Sequence, residues 1–297
     1  MRMKSIIGIF IGAAIITGVG WWTLLRPAPT SLQFEADTAG ARAQAFSYDD
    51  YALALKTYVD DQGMVNYQGL KEHRQRLDAF ADALGRLDPK VYEGWGEKEK
   101  VAFWINAYNA LTLEAIIAHY PIKPSFTTSL VFPKNSIRQI PGVWDELRFV
   151  VIGRKMTLED IEHETLRAQF NEPRIHMALV CAAMSCPPLR NEPYAGDRLD
   201  EQLDDQTRRF LSNPQKFRLD RTKGRMYLSL IFEWFGEDFV KTYGTDEKFK
   251  GRNQAERAVL NFVSPHLDAI SRVYLDSANY NITYLDYDWS LNEQGQR

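Results

Sequence analysis

The 297-residue chain is 45% hydrophobic and 12% aromatic, with 36 basic residues against 39 acidic ones and two cysteines. So mild an acidity lacks the basic footprint of a nucleic-acid binder, and the apolar content belongs to a folded protein with a large core, which excludes a disordered chain. Two cysteines in so long a chain are not the staple framework that small secreted domains need.

Arg2 and Lys4 precede an uncharged run from Ser5 to Leu25. At about 1.5 Å per residue, a run of about 20 residues spans a hydrocarbon core. The lysine/arginine bias predicts that this flank stays in the cytoplasm, with Trp21 and Trp22 at the far interface. Residues 1–25 are therefore expected to be a single-pass anchor in a bacterial-type cytoplasmic (inner) membrane, with the remainder facing the periplasm or cell exterior. A cleaved signal sequence is the alternative, although the first good small-x-small triplet, Ala43-Gln44-Ala45, lies well downstream of the apolar run. Proline and small residues mark 26–45 as a linker. One globular domain is expected over 46–292, followed by a tail over 293–297. Without Arg2, Lys4 and Arg26 the formal charge moves from −3 to −6, which again argues against a nucleic-acid partner.

Within the domain the pattern predicts a helix near Tyr48–Val59 and a turn at Asp60–Gly63. A charged amphipathic helix is expected over Leu70–Leu87, with Leu70, Leu77, Phe80, Ala81 and Leu84 on one stripe. Glu97–His119 is apolar nearly all round, the mark of a buried central helix. Leu147–Ile152 reads as a strand before a Gly153 turn. Thr157 is placed to cap a helix over Leu158–Gln169, with Asp160 completing a capping box. Arg174–Ala182 reads as a buried strand and Ser185–Pro188 as a turn. Further on, helices are expected at Leu199–Leu211, Ile231–Thr242 and Asn253–Leu267, and strands at Met226–Leu230 and near Tyr280–Asn292. Helices dominate and the strands are scattered among them, so the expected class is α+β, a single helix-rich globular domain with a small sheet.

Three segments carry candidate chemistry. Asn106 and Asn109, three apart, share a face of the apolar helix. A buried amide must be hydrogen-bonded or cost about 1–3 kcal/mol, so they either tie a loop to the helix or orient a catalytic group. In Ile161-Glu162-His163-Glu164, acids flank a histidine. In the segment from Arg174 to Leu189, a regular strand would alternate its side chains and put His176 and Cys181 on opposite faces. Cys186, in the turn beyond, is then the better-placed nucleophile. A cysteine nucleophile needs a base, typically histidine, and a third group to orient that base. The expected site has Cys186 as nucleophile, His176 or His163 as base, and Glu162, Asn106 or Asn109 orienting, with Cys181 nearby. In an oxidising compartment the simple reading of Cys181 and Cys186 is a local disulfide, closing a loop so short that it contributes only about 2 kcal/mol. His163, His176, Cys181 and Cys186 have the ligand types of a zinc site, but their spacing matches no compact zinc motif. No metal and no cofactor is expected.

The segments Phe103-Trp-Ile-Asn-Ala-Tyr-Asn-Ala-Leu111, Ile161-Glu-His-Glu-Thr-Leu-Arg167, His176–Cys181 through Ser185-Cys-Pro-Pro188, and Tyr287-Asp-Trp-Ser-Leu-Asn292 resemble the domain of unknown function 547 family. Gly63-Met-Val-Asn-Tyr67 and Leu228-Ser-Leu-Ile-Phe-Glu-Trp-Phe-Gly-Glu-Asp-Phe239 fit as well, so the resemblance runs from about Phe46 to Asn292. It implies that the asparagines, the histidines and the cysteine segment form one region, and it implies no particular activity. Two functions are expected to compete. One is a cysteine-dependent hydrolase or transferase acting on an envelope substrate. The other is a non-catalytic binding or scaffold domain for an envelope protein partner, with a structural disulfide and with Trp234, Phe235, Tyr287 and Trp289 serving recognition.

Overall fold

The computed structural model describes residues 46–277 and 280–295. The expected anchor (1–25), the linker (26–45) and the last two residues of the tail lie outside the described residues. Five α-helices open the domain: α1 Asp49–Tyr58, α2 Tyr67–Glu72, α3 Gln75–Arg86, α4 Pro89–Glu93 and α5 Glu97–His119. After two short 3-10 turns, the hairpin β1 Phe149–Val151 and β2 Arg154–Met156 leads into a helix that is π-wound over Asp160–Arg167. There follow a 3-10 turn at Pro173–Met177, α6 Leu199–Ser212, β3 Phe217–Asp220 and β4 Arg225–Ser229. The chain then runs through α7 Ile231–Trp234, α8 Val240–Tyr243, α9 Gln254–Val263, α10 Ala269–Asp276 and β5 Asn281–Leu285. The class is α+β, helix-rich with small sheets.

Helix α5 organises the first core. Every residue from Val101 to Ile117 is buried, with α2, α3, α6 and the π-helical segment packed around it. By length and composition α5 is long and apolar enough to cross a membrane; its apolarity is accounted for by its burial on all sides within the core. A second core gathers Phe210, Met226, Phe232, Phe239 and Phe262 around the three-stranded sheet and α9. In that sheet β3 and β4 form an antiparallel hairpin, while β5 joins β4 in parallel with Met226 opposite Ile282. Tyr287 packs against both cores.

The closing stretch after β5 is not a strand but a clasp. Met184 N–H donates to Ser290 O (2.8 Å), Ser185 N–H to Asp288 O (3.1 Å) and Asn292 N–H to Ala182 O (3.1 Å). Asn292 also accepts from the Tyr67 hydroxyl at 2.6 Å and donates to Gly63 O at 3.1 Å. Three remote segments thereby meet at the cysteine turn. Gly63 is essential to that meeting, since its φ is +80° and a Cβ there would lie 2.6 Å from Leu189 N and 2.7 Å from Pro188 Cβ. Gly63→Ala is therefore expected to destabilise the domain by about 2 kcal/mol, read as a lower midpoint in urea unfolding.

Three expectations of regular structure give way. The helix expected over Leu70–Leu87 breaks at His73–Arg74 into α2 and α3; amphipathic period hides the break because Leu70, Leu77, Phe80 and Leu84 all reach the same core. The strand expected over Arg174–Ala182 is a 3-10 turn followed by irregular chain. Pro173 fixes its start, the Glu172 carboxylate caps Arg174 N–H, and a short buried apolar run does not by itself distinguish strand from helix. The helix expected over Ile231–Thr242 is broken by a 3-10 turn at Gly236–Phe239. The capping box at Thr157 is present, with Asp160 N–H donating to Thr157 Oγ1 at 3.0 Å and Thr157 N–H to Asp160 Oδ2 at 2.9 Å.

Candidate functional site

An open cleft of about 340 Å³ has contributions from both cores. Tyr108, Glu162, His163, His176, Cys181 and Cys186 line it, together with Arg138 and an aromatic wall of Trp144, Trp234, Phe235, Tyr287 and Trp289. Both candidate histidines and both cysteines thus share one space. The alternation that would have separated His176 from Cys181 does not arise, because no strand connects them.

The cysteines are joined to one another, with their Cα atoms 6.1 Å apart. Of the two states left open for this pair, the structure has the disulfide, which closes the local loop that five-residue spacing permits. The two sulfurs are not equivalent. Cys186 is 3% exposed, whereas Cys181 is partly exposed. Cys181 N–H donates to Cys186 Sγ at 3.0 Å, and the Tyr287 hydroxyl lies 3.1 Å from Cys186 Sγ and 3.3 Å from Cys181 Sγ. Burial, reinforced by the charge of Glu162 and opposed by Arg138, raises the Tyr287 hydroxyl well above the ordinary tyrosine value, so it stays protonated and can donate to sulfur. Lys216 lies under the turn, donates to the Cys186 carbonyl, and is lowered to about 8 by burial.

The histidines are held by a continuous chain of charge-assisted bonds. His176 Nε2 lies 2.7 Å from Asp238 Oδ2. Arg167 grips the same carboxylate through Nε at 2.6 Å and Nη2 at 2.9 Å, and its Nη1 lies 2.6 Å from His163 Nδ1. Burial opposes ionisation of Asp238, but the bonds from His176 and Arg167 outweigh it and hold the carboxyl far below the usual carboxylate range. An ionised carboxylate only accepts, so His176 Nε2 donates to it, and in a neutral ring the lone pair is then on Nδ1. Arginine only donates, so His163 Nδ1 accepts and the proton of its neutral ring sits on Nε2. In their neutral forms the two rings are therefore opposite tautomers, with the lone pair of His163 directed at Arg167 and that of His176 on the nitrogen away from Asp238. Its imidazole also stacks on Phe235 at 4.2 Å.

Glu162 and His163 are adjacent in sequence and both line the cleft. In an α-helix neighbours point about 100° apart; the wider π turn narrows that angle, and such turns recur at functional sites. Glu162 lies beside the Tyr108 hydroxyl, which burial and then the Glu162 charge push well up.

Asn106 and Asn109 stand apart from the cleft wall. Asn106 donates to Tyr194 O at 2.8 Å and accepts from Tyr194 N–H at 2.9 Å. Asn109 does the same with Ala178 O (3.0 Å) and Val180 N–H (2.9 Å). Both amides are spent on backbone, so neither orients a histidine; Asn109 instead pins the segment that delivers Cys181. Sequence reading missed Asp238, Arg167 and Arg138 as cleft residues or their supports. Asp238 and Arg167 lay inside segments that carried the family resemblance; nothing local singled out Arg138. Among the described residues no group of three metal-ligating side chains is arranged around a common point.

Fold and cleft together define an α+β domain with a disulfide and a tautomer-fixed histidine pair in an aromatic-walled cleft. Residues 92–211 match the family described as Protein of unknown function, DUF547, and over that stretch the chain is similar to that family. The matched stretch holds Trp144, Glu162, His163, His176 and both cysteines; Trp234, Phe235, Asp238, Tyr287 and Trp289 come from outside it. No curated protein and no solved structure matches the chain significantly.

Proposed function

We propose that this is a membrane-tethered extracytoplasmic protein whose cleft performs cysteine-dependent hydrolysis or group transfer, with the Cys181–Cys186 disulfide as its resting form. The observation that carries the reading is one open cleft lined by both cysteines and by a His176 whose tautomer Asp238 fixes. In this reading a dithiol reductant attacks the more exposed Cys181 sulfur, and Cys186 leaves as a thiolate stabilised by Cys181 N–H and the Tyr287 hydroxyl. The reductant's second thiol then displaces Cys181, so the reductant ends as a disulfide and the protein holds two thiols. In turnover Cys186 gives its proton to His176 Nδ1 and its sulfur attacks an acyl carbon. The leaving group takes that proton, and water or an acceptor nucleophile releases the acyl group.

The closed disulfide also supports a second reading, a non-catalytic envelope binding or scaffold domain in which the bond braces the turn and the aromatic wall recognises a partner. One experiment separates the two. The full chain, purified from an oxidising compartment, is treated with a mild dithiol and titrated with iodoacetamide, with mass analysis of the labelled peptide. The enzyme reading expects ready reduction and preferential labelling of Cys186 near neutral pH, slowed in His176→Ala. A bond that resists mild dithiol while the fold is intact, or labelling indifferent to His176, sinks the enzyme reading in favour of the scaffold. Fractionation tests the tether: a mature protein starting near Phe46 and found in the soluble fraction overturns it.

A further inference from the structure

We infer that the cleft selects a ligand bearing an oxyanion, a carboxylate or phosphate, with Arg138 as its counter-charge. The inference rests on the cleft being the ligand site of the reading above, and not on its thiol chemistry. Arg138 sits on the 3-10 turn Ile137–Gln139, where Ser136 caps its backbone N–H at 3.2 Å. Its guanidinium carbon lies 4.4 Å from the Trp289 ring centre, 4.8 Å from Phe132 and 5.0 Å from Trp144.

These three rings surround the cation by cation–π contact, which uses none of its N–H donors in hydrogen bonds. Among the described residues Arg138 has no ion pair and no side-chain hydrogen bond, in contrast to Arg167, Arg174 and Arg190, each of which grips carboxylates. The cleft's own carboxylate, Glu162, makes no ion pair with Arg138 among the described residues. A fixed guanidinium with unused donors, exposed at the rim of a cleft, matches the fork geometry of a carboxylate or phosphate. The neighbouring Trp289, Tyr287 and Trp234 form a run of rings 4.6–6.2 Å apart, suited to the flat or apolar body of such a ligand. The cleft volume fits a small molecule or one end of a larger chain.

The test is a calorimetric titration of the disulfide-intact full chain in a neutral detergent with benzoate, phenyl phosphate and uncharged benzamide. At least one anion is expected to bind about tenfold tighter than benzamide at low salt, which is about 1.4 kcal/mol, and the gap is expected to shrink with added salt. A preference for benzoate assigns a carboxylate ligand, a preference for phenyl phosphate a phosphate ligand, and equal binding of both a general oxyanion site. Arg138→Gln removes the preference and Arg138→Lys keeps part of it. Equal binding of benzamide and both anions to the unaltered protein overturns the inference without recourse to any variant. So does a preference that survives Arg138→Gln. Because the disulfide stays closed throughout, an anion preference that persists after the thiol titration has failed leaves this inference standing alone.

Discussion

Asp238→Asn, in protein whose disulfide has been reduced, is expected to slow iodoacetamide labelling of Cys186 by about tenfold or more, because thiolate reactivity follows the base that draws off its proton. The carboxylate holds His176 in the tautomer whose lone pair is on Nδ1; an amide in its place can present an N–H to Nε2 and reverse that assignment. The double variant with His176→Ala should be no slower than the single ones, since both remove one unit. Full additivity would separate Asp238 from the histidine. Stability moves as well. Arg167 loses a two-point partner, costing about 2 kcal/mol after allowance for the quarter-exposed carboxylate. The pH sign follows from the shift. Asp238 is depressed below its ordinary 3.8, so its contribution is present above that pH and is lost as pH falls below it. The urea midpoint of the variant should therefore show a shallower acid limb than the unaltered protein.

Glu114→Gln is expected to act at the other end of the pH scale and far from the cleft. Glu114 is 1% exposed on α5 and pairs with Arg74 at 2.9 Å. Burial, then the neighbouring Asp78, push its carboxyl from 4.5 up to about 8 against the pull of Arg74, and one carboxyl oxygen has no hydrogen-bond partner. A raised acid binds its proton more tightly folded than unfolded. Its contribution is complete below about 4.5 and lost as pH rises through about 8. The unaltered protein should thus lose stability between pH 5 and pH 9, by an amount on the order of a few kcal/mol. Glu114→Gln should flatten that slope and be the more stable form at pH 9. Parallel slopes in the two proteins would show that Glu114 is ionised throughout.

The large elements were legible where composition alone decides them. Glu97–His119 has no polar stripe, and so reads as buried from sequence; Thr157 and Asp160 announce a helix start by local chemistry. The site was legible in its residues but not in its bonds. Glu162, both histidines and both cysteines stood out as polar or reactive groups among apolar neighbours. Their arrangement depends on two departures from regular structure, the π turn at Asp160–Arg167 and the 3-10 turn at Pro173–Met177, and simple periodicity cannot signal either. Arg138 was invisible for a different reason. Its role is defined by Phe132, Trp144 and Trp289, and Trp289 reaches it only through the tertiary clasp.

That clasp sets an order of events during synthesis. Tyr287 follows Cys186 by 101 residues, and the Gly63–Asn292 bond joins positions 229 apart. A ribosome making roughly 5–20 residues per second therefore delivers the cysteines many seconds before the tyrosine that will cover them. In that interval both sulfurs are open to whatever oxidant the compartment supplies, and the long-range pairing that shields Cys186 is among the slower contacts to form. The nascent chain thus passes through a period in which its thiols are chemically accessible and its cleft is incomplete.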